Sequence, residues 1–390
     1  MIFGGLTISA GFVRQWGQMA AIRLILGIAE SRTLPGIAYL VSCWYTRYEV
    51  AKRTAGFYII GMLSSAFSGL LGYGFSHMNG LGSGHGLGQH IEPTKDHPNI
   101  KPHQMSGIAG GRWVFIMQGI LTAVVAFMAA TCVVDFPEKA ATTRLTPKFL
   151  NKRETSLVVA QINRDRLDAV PEKFNLVNYL AGAADLQVWL FALSHGCTAI
   201  NTFGIAYYLP IILNVGMGFS AGVSQCLVAP PVVFAAICVA ACSWAADKYH
   251  SKGLIIIGAC IVSVIGLPLT GLAKSVATRY FGTFLATAGV NVATPLLIAW
   301  QANNIRGQWK RALCSATLIM AGGIRAIIAP LVFCAQDAPR YLPGFYTLIA
   351  GVIVGFCSTL ALMIKFWKAN RRADAGGKPI HGLEGFRYTI

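Results

Sequence analysis

Charged side chains are scarce in this sequence. They make up 12% of the 390 residues, whereas soluble domains carry about 25%. Hydrophobic residues make up 55%, and the mean hydropathy is +0.56. Such a composition excludes an ordinary soluble domain and is typical of an integral membrane protein.

Acidic residues are rarer than basic residues. The chain has 32 basic and 15 acidic residues, for a formal net charge of +17. Nucleic-acid-binding proteins also carry such an excess, but here the basic residues lie in polar links between apolar blocks. That distribution follows the positive-inside rule of membrane proteins. The sequence therefore predicts a lipid bilayer, and no nucleic acid, as partner.

Metal-binding and catalytic motifs are missing as well. The ten cysteines are scattered, mostly within apolar blocks, and form no CxxC pair or other zinc-ligand spacing. This pattern excludes a disulfide or structural zinc framework. Residues 1–13 are apolar but lack the charged flank and cleavage site of a signal peptide. No nucleophile–base pair or phosphate-binding loop is recognisable, so we expect no enzyme activity, no cofactor and no metal site.

Long apolar blocks recur along the chain and are separated by polar links. A helix needs about 20 apolar residues to cross a bilayer, so each block predicts one transmembrane helix. Residues 2–13 would cover only about 18 Å as a helix and form a stub. The predicted fold class is an all-α polytopic membrane protein with nine full spans after the stub. These spans cover residues 18–44, 54–76, 110–134, 186–213, 220–245, 254–273, 279–299, 312–335 and 344–366.

The basic residues of the links predict the orientation of the chain. If the first full span runs inward, the cytoplasmic links hold 22 basic residues and the outer links hold six. The positive-inside rule then places the C-terminal end in the cytoplasm, and we expect the plasma membrane as the location. The long cytoplasmic link 135–185 separates two halves. Residues 1–134 form an incomplete N-terminal helical half, 186–366 form a six-helix C-terminal half, and 367–390 form a cytoplasmic tail.

Two of the links have further features. Thr146 and Pro147 are typical of an N-cap and a first helical position, and they predict a surface helix that ends near Arg164. The outer link 77–109 holds five of the eight histidines. Clustered histidines can bind a metal, but their irregular spacing favours a solvated loop.

The first full span carries two opposite charges in its middle. Arg23 and Glu30 lie on one helical face, with Gly27 between them. They are about 10 Å apart along the axis, too far for a direct ion pair. A charge inside a bilayer costs at least about 2.5–3.5 kcal/mol and is tolerated where it faces a bundle interior or a watery cavity. We predict that this face lines a transport pathway; a structural interhelical charge pair is the alternative.

A short turn between two later spans combines a carboxylate with two lysines. It contains Asp247, Lys248, Lys252 and Gly253. Such a turn can join neighbouring helix ends through charge pairs and contacts with the helix dipoles. We interpret it as a cytoplasmic gating turn.

Several short motifs, taken together, resemble those of one family. They are Arg23–Glu30 with Pro35-Gly36, Ser42–Arg47, Ser68–Leu71, Arg112–Ile116, Asp135–Glu138, Asp247–Gly253, Asn303-Asn304 with Lys310-Arg311, and Asp337–Tyr341. Through them the chain resembles the major facilitator superfamily, and within it the fungal allantoate-permease branch of the anion:cation symporters. The resemblance covers nearly the whole chain.

This resemblance implies two six-helix halves around a central site, with alternating access. It also implies proton-coupled uptake of a small organic anion, since relatives carry monocarboxylates such as nicotinate, allantoate or pantothenate. In that class the arginine matching Arg23 is associated with the substrate carboxylate, and the acid matching Glu30 with proton coupling. The expected partners are the anion and protons, and we expect a monomer. Further candidate substrate contacts are Gln118, Tyr208, Gln225 and Asn304.

The sequence also departs from the family pattern. The stub matches the end of the family's third helix, so we expect a chain that lacks the first two helices. Arg32 stands where relatives have a small or apolar residue, and Arg325 interrupts a glycine-rich helix, where it would either bind an anion or disturb the packing. A non-transporting nutrient sensor or an inactive truncated paralogue is therefore the alternative to a transporter.

Overall fold

In the part of the chain that it describes, the computed structural model has helices as its only regular secondary structure. The described residues are 2–30, 36–37, 40–41, 44–45, 50–76, 110–132, 151, 153–158, 160, 176–305, 308–333, 335–337, 341–376, 380 and 386–390. These ranges contain no strand, and eleven α-helices within them have defined bounds. The helices are α1 (Ile2–Ala10), α2 (Trp16–Glu30), α3 (Val50–Ser76), α4 (Gly110–Cys132), α5 (Leu176–Ala181), α6 (Leu186–Ile211), α7 (Ala221–Lys248), α8 (Lys252–Leu272), α9 (Val276–Asn304), α10 (Gln308–Val332) and α11 (Leu342–Asp374).

Seven helices in the described ranges are long and apolar enough to cross a membrane. They are α4 and the six helices from α6 to α11, and each overlaps a predicted span. The prediction of an all-helical integral membrane protein is thereby confirmed. The predicted stub corresponds to the nine residues of α1, and the predicted spans over 18–44 and 54–76 contain α2 and α3.

Some helices continue beyond the apolar blocks that predicted them. Helix α9 ends at Asn304 rather than at residue 299, and α11 ends at Asp374 rather than at residue 366. The added residues of α11 include lysine, arginine and alanine, which are good helix formers in water. At about 1.5 Å per residue, the 33 residues of α11 exceed the bilayer core of about 30 Å, so this helix projects beyond it.

The predicted links lie mostly outside the described residues. This applies to the histidine-rich link 77–109 and to Thr146 and Pro147 of the long link. Arg32 and Pro35, inside the predicted span 18–44, are also outside the described residues. In the long link, residues 153–158 are helical and residue 151 is not. The Glu154 carboxylate accepts a hydrogen bond from the backbone N–H of Asn151 at 2.8 Å, as in a capping box.

The described helices fall into two compact units. The first comprises residues 1–44 and 67–160. Within it α1 and α4 cross closely, because glycine occupies the crossing point on both helices. A Cβ atom on Gly119 would lie 2.7 Å from the backbone nitrogen of Ile8, and one on Gly4 would lie 3.1 Å from that of Ala123. Small residues that bring two backbones together are a common way of packing helices in a bilayer.

The second unit comprises residues 45–66 and 161–390, and it contains α5 to α11. Its helices α8 and α9 pack at very short range along one edge. A Cβ atom on Gly266 would overlap the backbone nitrogen of Ala286, and one on Gly282 would lie 2.6 Å from the backbone nitrogen of Thr270. The two backbones therefore approach as closely as glycine permits.

An aromatic cluster fills the core at one end of the second unit. Phe191 of α6 meets Trp300 of α9 edge to face, with ring centroids 5.3 Å apart. Trp300 meets Phe366 of α11 in the same way at 5.6 Å. Tyr388, from the segment after α11, stacks on Phe366 at 4.4 Å. These contacts tie three helices together at the level where α9 and α11 leave the apolar region.

Candidate functional site

The predicted charged face of α2 lies in the first unit. Arg23 and Glu30 are both exposed, and open space surrounds Gly27 between them. The guanidinium of Arg23 lies over the ring of Phe115 on α4, 5.7 Å from its centroid. A cation over an aromatic face is held by the ring quadrupole and still presents its N–H groups outward. Arg23 is therefore positioned by α4 and remains able to meet an anion.

Gln118 is the second candidate contact in this unit. It is half-buried on α4, three residues after Phe115, so the two side chains share a helical face. Its amide donates a long hydrogen bond, 3.5 Å, to the hydroxyl of Ser68 on α3. The structure thus brings Gln118 to the same side of α4 as the partner of Arg23.

A polar cluster in the second unit was missed by the sequence analysis. The hydroxyl of Tyr58 on α3 donates to the Asn291 carbonyl oxygen on α9 at 3.1 Å. The Tyr58 hydroxyl also interacts with the side chains of Thr202 and Thr294. The Asn291 amide in turn donates to the backbone carbonyl of Thr287 at 2.8 Å. Three helices therefore contribute uncharged hydrogen-bonding groups to one place among apolar neighbours.

The sequence contains a periodic pattern of polar residues that indicates the part of this cluster on α9. Thr283, Thr287, Asn291 and Thr294 recur every three or four residues, which places them on one face of α9. All four are buried. A polar stripe that is buried inside an apolar helix indicates contact with other polar groups, although the partner on α3 could not be read from α9.

Tyr208 and Gln225, the predicted contacts on α6 and α7, have different surroundings. The Tyr208 hydroxyl lies 2.8 Å from the carbonyl oxygen of Pro330 and 3.1 Å from that of Phe333. Its ring stacks on Phe333 with centroids 4.3 Å apart. These contacts join α6 to the end of α10. Gln225 is half-buried in the second turn of α7.

Asn304 is fully buried at the end of α9 and binds backbone rather than open space. Its amide nitrogen donates to the carbonyl oxygen of Thr389 at 3.1 Å. Its amide oxygen accepts from the backbone N–H of Thr389 at 2.8 Å and from the Thr389 hydroxyl at 3.1 Å. The structure therefore does not bring Asn304 together with the other candidate contacts in its own unit.

The predicted gating turn joins α7 to α8. Asp247 and Lys252 form an ion pair across it, and both side chains are buried. Lys248 instead points outward, with its ammonium 4.7 Å from the ring centroid of Trp244. Gly253 allows α8 to approach its neighbours, since a Cβ atom there would lie 2.8 Å from the Met363 side chain on α11 and 3.2 Å from Trp300 on α9. Position 250 has φ of 53°, which closes the turn in the left-handed region.

A second charged group at the helix ends was not foreseen. Asp185 caps α6 by accepting a hydrogen bond from the backbone N–H of Gln187 at 2.9 Å. Its carboxylate also binds Lys310 of α10 at 2.5 Å and Lys365 of α11 at 3.4 Å. Burial raises the pKa of Asp185, but the hydrogen bonds from Lys310 and Gln187 and the charges of both lysines outweigh burial and hold the pKa below its usual value. Asp185 therefore links the first turns of α6 and α10 to α11.

Arg325 lies at the contact between α10 and α6. Its guanidinium donates to the sulfur of Cys197 at 3.1 Å. Gly196 leaves the room for this side chain, because a Cβ atom there would lie 2.7 Å from the Arg325 Nε. The glycine of α6 thus accommodates the arginine that interrupts the glycine-rich helix α10.

Comparison with known proteins identifies relatives along almost the whole chain. An uncharacterized transporter of Schizosaccharomyces pombe is 26% identical over 378 residues, which is 95% of this chain and 68% of the relative. The high-affinity nicotinic acid transporter of Saccharomyces cerevisiae is 24% identical over 374 residues, which is 96% of this chain and 64% of the relative. The chain thus spans about two thirds of the length of these curated relatives.

The fold matches that of solved transporters. The proton:xylose symporter XylE superposes with a TM-score of 0.61 at 13% sequence identity, over 94% of this chain and 78% of the symporter. The sequence profile of the Major Facilitator Superfamily matches residues 1–330. The polytopic helical architecture, the transporter relatives and the family profile agree. The chain belongs to the Major Facilitator Superfamily.

Proposed function

We propose that the chain is a secondary active transporter that takes up a small organic anion by alternating access, coupled to protons. The substrate class is a monocarboxylate such as nicotinate, allantoate or pantothenate. Membership of a family of transporters, rather than enzymes, supports secondary transport. The similarity to a high-affinity nicotinic acid transporter and the likeness in fold to a proton symporter favour this substrate class and this coupling ion.

Arg23 is the main support for an anionic substrate. An arginine fork matches the two oxygens of a carboxylate, so a single guanidinium can fix both the charge and the orientation of the substrate. The contact with Phe115 holds the guanidinium in place while it remains exposed. Gln118 on the adjacent helix would add a hydrogen bond to the bound anion.

Glu30 is proposed as the group that carries the proton. Acidic residues inside membrane segments commonly form proton relays. Glu30 is exposed on the same side of α2 as Arg23, two helical turns further along. Protonation and deprotonation of Glu30 would change the electrostatic potential at Arg23 and at the bound anion. Binding of the proton and binding of the anion would then depend on each other, and this dependence is the basis of coupled transport.

Uncharged candidate contacts lie within the second unit. Tyr58 and Asn291 present a hydroxyl and an amide between apolar helices, and such groups can orient the part of a substrate that carries no charge. Tyr208, Gln225 and Asn304 remain proposed contacts, although the hydrogen bonds of Tyr208 and Asn304 already serve protein backbone. The turn from Asp247 to Gly253 is proposed to gate the cytoplasmic side.

Uptake of labelled nicotinate, with allantoate and pantothenate as competitors, tests this proposal. Cells or proteoliposomes that contain the chain should accumulate label faster at low external pH than at neutral pH. Counterflow from preloaded nicotinate should proceed without a proton gradient. Specific binding of nicotinate to the purified chain without uptake or counterflow would instead favour a sensor. If none of the three anions binds, the proposed substrate class is wrong.

A further inference from the structure

Residues 386–390, called the strap below, lie against the ends of α6, α9 and α11. Two asparagines hold its backbone. Asn370 of α11 accepts from the backbone N–H of Tyr388 at 2.8 Å and donates to its carbonyl oxygen at 2.9 Å. Asn304 of α9 binds both the N–H and the carbonyl oxygen of Thr389 in the same way. Each side-chain amide thus pairs with one residue of the strap as a neighbouring β-strand would.

Two consecutive strap residues are bound by different asparagines because of the geometry of an extended chain. Both backbone groups of one residue point to one side, and those of the next residue point to the opposite side. Asn370 therefore binds Tyr388 from one side and Asn304 binds Thr389 from the other. The strap lies between α9 and α11, and Trp300 adds a second hydrogen bond to the Thr389 carbonyl oxygen at 2.8 Å.

Side chains of the strap fill a recess that the three helices form. The Tyr388 ring stacks on Phe366, and its hydroxyl accepts from the Gln187 amide at 3.3 Å. Phe386 packs edge to face on Tyr388 at 5.5 Å. Phe386 and Tyr388 are each 7% exposed. In domains that bind extended peptides, backbone pairing supplies affinity and pockets for side chains supply sequence selectivity.

The strap contacts the part of α9 that follows a proline. Pro295 lies inside α9 and removes one backbone hydrogen bond there. Such a position is where a helix bends. Trp300 and Asn304 lie in the segment that follows the proline, and both bind the strap. Occupation of the recess therefore adds a second connection between the post-proline end of α9 and α11, beside the direct contact of Trp300 with Phe366.

We propose that the recess bounded by Gln187, Trp300, Asn304, Phe366 and Asn370 is a peptide-binding site. Its ligand is an extended peptide with the pattern aromatic, any residue, aromatic, threonine. Residues 386–389 occupy it within the same chain and act as a releasable latch on the end of α9. Binding at the recess is independent of the transport function proposed above and can be measured without transport.

Peptide binding tests the recess directly. A fluorescent peptide amide with the sequence Phe-Arg-Tyr-Thr-Ile should bind to the purified chain from which residues 386–390 are deleted. It should bind at least about tenfold more weakly to the full chain, where the strap occupies the recess. Replacement of the peptide tyrosine by alanine, or Asn370→Leu in the deleted chain, should each weaken binding by about tenfold or more, since each removes a buried contact. Equal binding to both chains, or equal binding of the alanine peptide, would overturn the proposal.

Limited proteolysis tests the latch in the full chain, independently of the deletion. Trypsin cleavage after Arg387 should be slow while Phe386 and Tyr388 are buried on either side of it. Tyr388→Ala should speed this cleavage by about tenfold or more, because it removes the stacked ring. Tyr388→Phe keeps the ring and should change it little. Cleavage after the exposed Lys274 should be the same in all three chains. If Tyr388→Ala leaves cleavage after Arg387 unchanged, the strap is not held by the recess.

Discussion

Lys252 and Asp247 form a buried ion pair across the turn between α7 and α8. The Lys252 Nζ lies 3.3 Å from the Asp247 Oδ1, and the side chains are 0% and 2% exposed. Charges so far from water are stable only together, because each offsets the cost of taking the other out of water. The pair therefore fixes the start of α8 to the end of α7.

Removal of one member should destabilise the second unit strongly. Lys252→Met leaves the Asp247 carboxylate buried without its lysine and should lower the free energy of unfolding by about 3–5 kcal/mol. Lys248→Met, at the exposed lysine of the same turn, should cost less than about 1 kcal/mol. Thermal unfolding in detergent measures both. A double change, Asp247→Leu with Lys252→Met, should recover much of the loss, and a double variant that is less stable than Lys252→Met would contradict the pairing argument.

Two glycines of α8 should respond in opposite ways to alanine. A Cβ atom on Gly266 would overlap the backbone of α9 at Ala286, so Gly266→Ala should cost about 1–3 kcal/mol through forced separation of the helices. Gly258 lies on the same helix with nothing within 4 Å of the added atom. Gly258→Ala should be neutral, or stabilise by up to about 1 kcal/mol, because alanine favours the helix. Equal melting temperatures for the two variants would show that α8 and α9 are not in this close contact.

Arg23 should control anion binding. Arg23→Ala removes a charge-assisted hydrogen bond of about 1.5–3 kcal/mol, which corresponds to roughly 10- to 150-fold in affinity for nicotinate. Arg23→Lys keeps the charge but should rescue poorly, because an ammonium lacks the planar fork that matches a carboxylate. Direct binding to the purified chain measures both variants. Unchanged affinity in Arg23→Ala would remove Arg23 from the substrate site.

Glu30 should affect coupling rather than binding. Glu30→Gln keeps the shape of the side chain and has the charge of the protonated state. Nicotinate binding and counterflow should persist, while accumulation driven by a pH gradient should be lost. Uptake at two external pH values, set beside counterflow in the same vesicles, separates these effects. Continued uphill accumulation in Glu30→Gln would assign coupling to another group.

The Asp185 cluster should make stability depend on pH in the acid range. The folded chain holds the pKa of Asp185 below its unfolded value, so the carboxylate contributes stability above that value. The contribution should be constant above about pH 5 and should decline as the pH falls through about 4 toward the folded pKa. Asp185→Asn should be less stable than the parent chain at pH 7, and the difference should shrink at acid pH. Parallel melting curves from pH 7 to pH 3 would contradict this assignment.

Features of consecutive residues predicted the positions of the helices well. The apolar blocks located α4 and the helices α6 to α11 to within a few residues at most ends, because hydropathy is a property of consecutive residues. The turn from Asp247 to Lys252 was also recognisable, since its charged partners are five positions apart. Where the helices run longer than predicted, as in α11, the continuing hydrogen bonds and helix-forming residues prolong the helix beyond the apolar block.

The polar contacts of the candidate site were harder to predict, because the residues that form each contact are distant in sequence. Tyr58 pairs with Asn291, 233 positions away, and Asn304 pairs with Thr389, 85 positions away. The sequence shows that Asn304 is a polar residue near the end of a predicted helix. Such a residue could bind a substrate, a neighbouring helix or a returning segment equally well. Which of these it meets depends on the rotation of α9 and on the path of the chain after α11.

The sequence alone determined that this protein is a helical membrane protein of the Major Facilitator Superfamily, because spans and motifs are encoded in consecutive residues. It also placed Arg23 and Glu30 on one face, since helical periodicity fixes the angles within an element. The tertiary structure alone decided that Asn304 and Asn370 bind the strap and that Asp185 joins α6, α10 and α11. Such contacts depend on which helices are neighbours and how each is rotated. In this chain the close approach of glycine-bearing helices sets those neighbours, and local sequence does not encode them.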